Sequence, residues 1–126
     1  MTSTLTRILA VMVLLLGLGA CSSTSSTSAD AEPSSPAADT VVLDVRTAEE
    51  YDAGHLEGAR LLDVTSGELQ EALPDLDPGA TYLIYCRSGN RASQAATLME
   101  EAGFTDVTSL GSLDDASKAT GLSVTR

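Results

Sequence analysis

Residues 81–103 read TYLIYC-RSGNR-ASQAATLMEEAG, from Thr81 to Gly103. Thr81 to Tyr85 is a short apolar run rich in β-formers, which suits a central strand buried on both faces. Beyond the loop, Ala92, Ala95, Ala96, Met99 and Ala102 recur at helical spacing and predict one apolar stripe. Gly103 is a stop signal for that helix. Between strand and helix lies a six-residue loop, opened by Cys86 and closed by Arg91. Cys86 therefore stands where a strand ends and a helix begins. Loop amides and the positive end of the helix dipole should point at its sulfur, with Arg87 and Arg91 adding charge. These conditions favour a thiolate nucleophile over an inert core thiol.

The flanking chain repeats the alternation. Thr40 to Val45 reads as a first buried strand. Thr47 followed by Glu50 is a capping-box pattern that opens a short helix, which Gly54 ends. His55 to Ala59 reads as a turn, and Arg60 to Val64 as a second strand. Thr65 or Ser66 should cap the next helix, whose buried face is Leu69, Ala72, Leu73 and Leu76, with Pro74 kinking or ending it. Asp106 to Leu110 reads as another strand and Leu113 to Thr120 as a last helix, broken at Gly121. Strands alternating with helices predict an α/β sandwich with a mostly parallel sheet and right-handed crossovers. Ligands of such sheets sit beyond the carboxyl ends of strands, which is where Cys86 falls.

The amino-terminal third has a different character. Residues 1–20 carry Arg7, then the apolar run Ile8 to Leu18, which has the length of a signal-peptide core and is short for a membrane span. Leu18-Gly19-Ala20-Cys21 resembles the lipobox of bacterial lipoproteins, in which the Cys is diacylated and becomes the new amino terminus. That resemblance implies lipidation of Cys21 and export. The protein would be anchored on the extracytoplasmic side of a bacterial membrane. Residues 22–38 are Ser, Thr, Ala and Pro without apolar period, so residues 21–38 are expected to form a disordered tether reaching roughly 20–25 Å. The folded domain is then residues 39–126.

The composition narrows the function classes. The chain has 126 residues, a net charge of -11 and no Trp. Such an acidic chain is a poor nucleic-acid binder. With Cys21 assigned to lipid, Cys86 has no partner for a disulfide or for a resolving step in redox chemistry. The single His, His55, belongs to no cluster with metal-ligand spacing, so neither a metal nor a cofactor is expected.

Three stretches together resemble the rhodanese-like domain. Asp44-Val45-Arg46, Glu50-Tyr51 and Gly54-His55-Leu56-Glu57-Gly58-Ala59 resemble its first signature. Tyr85-Cys86-Arg87-Ser88-Gly89-Asn90-Arg91-Ala92-Ser93 resembles its active-site loop. Ala102-Gly103-Phe104 with Val107 and Leu110-Gly111 resembles the stretch that follows. The set spans most of residues 39–112 in the right order, and it resembles single-domain secreted members of the phage shock protein E type. The resemblance implies a three-layer α/β sandwich with a mostly parallel five-stranded sheet, and a Cys86 that forms a persulfide. The chain departs from the family in having Ser112 after Gly111, where a second Gly is frequent, and in lacking a Trp. It also lacks the loop Lys of the thiosulfate-specific two-domain enzymes.

The chemistry implied is transfer of sulfane sulfur from a thiosulfate-like anion to a thiol or cyanide. Cys86 would be the nucleophile, and Arg87, Ser88, Gly89, Asn90 and Arg91 would bind the donor and the persulfide. Arg87 is the better candidate for the donor anion, while Arg91 either joins it or braces the loop. The related cell-cycle phosphatases and arsenate reductases have a loop one residue longer, which holds a phosphate-sized oxyanion, so phosphatase activity ranks low. The competing class is a catalytically silent, membrane-tethered binding module. Asp44 and Arg46 are expected to be structural, bonding nearby loops and Glu49 or Glu50. His55 is expected to hold its turn by hydrogen bonds. The protein is expected to act as a monomer.

Overall fold

The computed structural model describes residues 35–126; the signal-peptide and Cys21 lipidation readings, and most of the tether, fall outside the described residues. Ten elements follow one another: β1 (Thr40–Asp44), α1 (Ala48–Ala53), β2 (His55–Leu56), β3 (Arg60–Leu61), α2 (Glu68–Ala72), β4 (Thr81–Cys86), α3 (Asn90–Glu101), β5 (Asp106–Ser112), α4 (Leu113–Thr120) and β6 (Val124–Thr125). The main sheet has the order β3-β1-β4-β5 and is parallel throughout. The expected α/β sandwich is present, with four strands in its sheet where five were expected. The remaining extended segments form a separate antiparallel ribbon, β2 with β6. That pairing was not foreseen, because two residues per strand leave no readable period. His55 and Leu56 thus belong partly to a strand where a simple turn was expected.

The central strands are apolar along their length because both faces are covered. Leu43 and Val45 of the β1 segment, with Tyr82, Ile84 and Cys86 of β4, face α2 and α3, where Leu69, Ala92, Ala95 and Met99 meet them. Val42 and Tyr85 face the opposite layer, against Leu56, Ala59 and Ala116. Cys86 therefore ends a strand on the α3 side. Ala102 does not extend the α3 stripe. It is the exposed carboxyl cap, where the helix has already ended ahead of Gly103 at φ +97°.

Three local readings change. Neither Thr65 nor Ser66 caps α2; its cap position is Gly67. The buried Asp63 carboxylate takes the turn instead, accepting from Thr65 N at 2.7 Å and Thr65 Oγ1 at 2.6 Å. The carboxylate closes a turn over the Thr65 amide ahead of the helix, which then starts after Gly67 without a side-chain cap. Pro74 converts the end of that helix into a 3-10 turn, Leu73–Asp75, yet Leu76 still reaches the core. β5 runs on to Ser112 with a bulge, so that Ile84 pairs with Ser109 and Tyr85 with Gly111.

Asp44 and Arg46 are structural, as expected, and Arg46 bonds a neighbouring loop at Gly54, but its carboxylate partner is Asp44 where Glu49 or Glu50 was expected. Arg46 wraps back on Asp44, with Nη2 to Oδ2 at 2.6 Å and Nε to Oδ1 at 2.9 Å, and donates to the Gly54 carbonyl at 2.6 Å. Its guanidinium lies 5.5 Å from the Tyr85 ring centroid. Burial opposes the charge on Arg46, but the Asp44 hydrogen bond and field win and hold its pKa above the ordinary value. Both residues are buried, so removing one leaves an uncompensated charge in the interior. Asp44→Ala is expected to cost about 3–5 kcal/mol in denaturant unfolding. A loss under about 1 kcal/mol would show the pair to be dispensable.

Candidate active site

The site is built at the carboxyl edge of the sheet. β4 delivers Cys86, α3 starts at Asn90, and three residues turn between them. Cys86 is fully buried at the base of the loop, while Arg87, Ser88 and Asn90 are exposed. The Gly89 amide donates to Cys86 Sγ at 3.0 Å. Of the loop amides expected around the sulfur, this is the one that makes a hydrogen bond to it among the described residues. Gly89 has φ +94° and is the cap position of α3. A Cβ there would meet Gly111 Cα at 3.3 Å, so the loop rests on the backbone of β5. Gly111, at φ +89°, is constrained in turn, because its own Cβ would meet Asp115 Oδ2 at 3.1 Å. Side chains are disfavoured in both conformations.

The two loop cations are placed differently. Arg91 forks onto Glu50, with Nη1 to Oε2 at 2.8 Å and Nη2 to Oε1 at 2.9 Å. Of the two roles left open for Arg91, the geometry favours bracing. Arg87 is exposed and makes no ion pair with another described residue. Glu50 also completes the capping box of α1, accepting from Thr47 N at 3.1 Å while Thr47 Oγ1 accepts from Glu50 N at 3.3 Å. One carboxylate thus joins the start of α1 to the closing residue of the Cys86 loop. The Arg91 hydrogen bond is the main cause that lowers its pKa to about 2, against the opposing effect of partial burial.

His55 stands at the back of this arrangement. Its ring stacks on Tyr51 with centroids 3.6 Å apart, and Nδ1 lies 2.9 Å from the Tyr51 carbonyl. Tyr51 in turn donates from its hydroxyl to the Ala59 carbonyl at 2.8 Å. His55 holds its turn, as expected. A cleft of about 330 Å3 lies elsewhere, lined by Ser35, Val41, Glu57 and Leu122 among others. It sits by the amino end of β1, whereas Cys86 is at the carboxyl end of the parallel neighbour β4.

Comparison with known proteins fits this geometry. Residues 27–118 match the Rhodanese-like domain family. The chain belongs to the rhodanese-like family. It is 34% identical over 77 residues to the thiosulfate sulfurtransferase PspE of Escherichia coli, a match covering 58% of this chain and 70% of that protein. It is 37% identical over 70 residues to the thiosulfate sulfurtransferase GlpE of Pseudomonas putida, covering 56% and 62%. It spans a much smaller part, 18%, of the probable adenylyltransferase/sulfurtransferase MoeZ of Mycobacterium tuberculosis, at 33% identity. Among solved structures, the rhodanese-like domain of the Anabaena Alr3790 protein superposes with a TM-score of 0.61 at 28% identity, over 71% of this chain and 89% of that one. An E. coli rhodanese with anions gives 0.56 at 31% identity, over 60% and 89%. Several of the relatives that this rhodanese-like chain matches are named sulfurtransferases.

The roles of four residues, Glu50, Gly111, Ser112 and Asp115, escaped the sequence reading. Glu50 was recognised for its capping box, but its partner is 41 residues away and no local pattern announces it. Gly111 was recognised as a motif position without its contact to Gly89. Ser112 and Asp115 form a second capping box beside the loop, with Ser112 paired to Cys86 across the sheet. The Ser-x-x-Asp spacing could have revealed it. Because the folded Glu50 carboxyl titrates near about 2 against an ordinary 4.5, its stabilising contribution is complete above about pH 4.5 and is lost as pH falls toward 2. Glu50→Gln should therefore flatten the acid limb of the stability curve in urea unfolding between pH 6 and pH 2. A mutant whose acid limb matches wild type would contradict the placement of this charge.

Proposed function

We propose that this protein is a thiosulfate-type sulfurtransferase that carries sulfur as a Cys86 persulfide. The observation that supports it most is the Gly89 N–H donated to Cys86 Sγ at 3.0 Å, at the junction of a buried strand and a helix amino terminus. A hydrogen-bond donor aimed at sulfur stabilises negative charge there, as both a thiolate and a persulfide require. Membership of a family whose relatives include thiosulfate sulfurtransferases supports the same chemistry.

The Cys86 thiolate attacks the outer sulfur of thiosulfate. The new S–S bond forms as the old one breaks, and sulfite leaves with the electron pair. Cys86 then carries a persulfide anion. Cyanide, or a thiolate acceptor, attacks the outer sulfur and leaves as thiocyanate or a small persulfide, returning the thiolate. Two displacements replace one difficult transfer. Arg87, exposed at the mouth, draws in the anionic donor; Ser88, Gly89 and Asn90 shape the cradle; Arg91 holds its closing end. Since Cys86 is fully buried beneath the exposed Arg87 and Ser88, a donor has to gain access to the sulfur past this segment. We place the reaction outside the cytoplasm, on a monomer held to a bacterial membrane by lipid on Cys21.

The same burial favours a second reading, a rhodanese-fold module that docks partners without turning over. One assay separates the two. Wild type should form thiocyanate from thiosulfate and cyanide, and Cys86→Ser should fall to the uncatalysed background. A reduced, folded wild type that forms none from thiosulfate or other sulfane donors would leave the docking module as the function.

A further inference from the structure

The charge of the loop is set from outside it. Two Arg residues flank the buried sulfur, yet their surroundings are opposite. Arg91 is matched by Glu50 oxygen for oxygen in a planar fork, the geometry in which an Arg–carboxylate pair is most persistent. Glu50 is itself fixed by the Thr47 backbone amide and by the helix it caps, so it does not drift from Arg91. Thr47 follows Arg46, which is locked to Asp44. The second cation pair near the sheet edge is therefore also neutral as a unit. The Glu50 hydrogen bond is the main cause that holds the Arg91 pKa above its ordinary value, with smaller attractions from Cys86 and Asp63. Among the described residues, Arg87 is the loop cation left without a counter-ion.

Resting on the sulfurtransferase reading above, we propose that Glu50 is a specificity-determining residue. By cancelling Arg91 it leaves the cradle with one effective positive charge and tunes it to monoanionic sulfane donors, such as organic thiosulfonates, over the inorganic dianion. The chemistry is unchanged in kind. Cys86 thiolate takes the outer sulfur of a thiosulfonate, the S–S bond breaks, and a sulfinate leaves with the electron pair. A donor with one charge is matched by Arg87 alone. A dianion brings a second charge for which, with Arg91 already matched by Glu50, the cradle has no further free cation.

The test compares methanethiosulfonate with thiosulfate as donors in cyanide-coupled turnover by the full chain at low ionic strength. Wild type should show the lower KM for methanethiosulfonate. Glu50→Gln frees the charge of Arg91, which attracts a dianion twice as strongly as a monoanion, so the ratio of the two KM values should move toward thiosulfate by roughly threefold to tenfold. High salt should shrink that shift. Arg91→Gln, which leaves Glu50 uncompensated, should move the ratio the other way. The double variant Glu50→Gln/Arg91→Gln restores the wild-type net charge, and its ratio should return to the wild-type value even though the loop has lost its brace. A ratio that follows stability or kcat across the series, or stays fixed in Glu50→Gln, would overturn this inference while leaving an active sulfurtransferase. A wild type inactive with both donors would overturn the sulfurtransferase reading and this inference with it.

Discussion

Gly89 lies against the backbone of Gly111, where a Cβ would meet Gly111 Cα at a tight 3.3 Å. That contact is the constraint on which the site depends. It lets the chain leaving β4 turn within three residues and start α3 against the end of β5. Gly89 then has its amide directed at Cys86 Sγ. A side chain at either position would need an unfavourable positive φ and would crowd a neighbour, Gly111 Cα for Gly89 and the Asp115 carboxylate for Gly111. The bulge in β5 serves the same end, since it brings Gly111 opposite Tyr85 and Ser112 opposite Cys86. The sheet supplies the frame: β1 and β4 are buried on both faces, so the carboxyl edge is where polar loops can gather.

Charge at that edge is organised in pairs. Asp44 with Arg46 is buried and ties the end of β1 to the Gly54 turn. Glu50 with Arg91 is partly exposed and ties α1 to the loop. The first pair is costly to break because the interior cannot solvate the survivor. The second is closer to water, so its main effect is on the local field and on loop order. Between them they leave Arg87 as the loop cation without an ion-pair partner among the described residues.

The parts of the fold visible in the sequence were those with a period or a cap. β1 and β4 declared themselves by continuous apolar runs, α3 by its Ala and Met stripe, and α1 by Thr47 and Glu50. The Cys86 loop was legible because a thiol, two cations and a glycine fall between a strand and a helix. The rest depended on contacts between distant residues. Neither the β2–β6 ribbon nor the Gly89–Gly111 contact has a local signature. Thr65 is held in a turn by Asp63, and α2 starts later at Gly67 with no side-chain cap, which spacing alone cannot decide. Arg91 shows the limit most clearly: its type and position pointed to an anion site, and a carboxylate 41 residues upstream claims it.

The central claim is that Cys86 itself carries the transferred sulfur. Intact-mass spectrometry of the reduced full-length protein, before and after thiosulfate, tests this most directly. The account predicts that wild type gains the mass of one sulfur atom and loses it again on adding cyanide, while Cys86→Ser gains none. A wild type that turns over without the added sulfur, or a Cys86→Ser protein that still acquires it, would contradict the account.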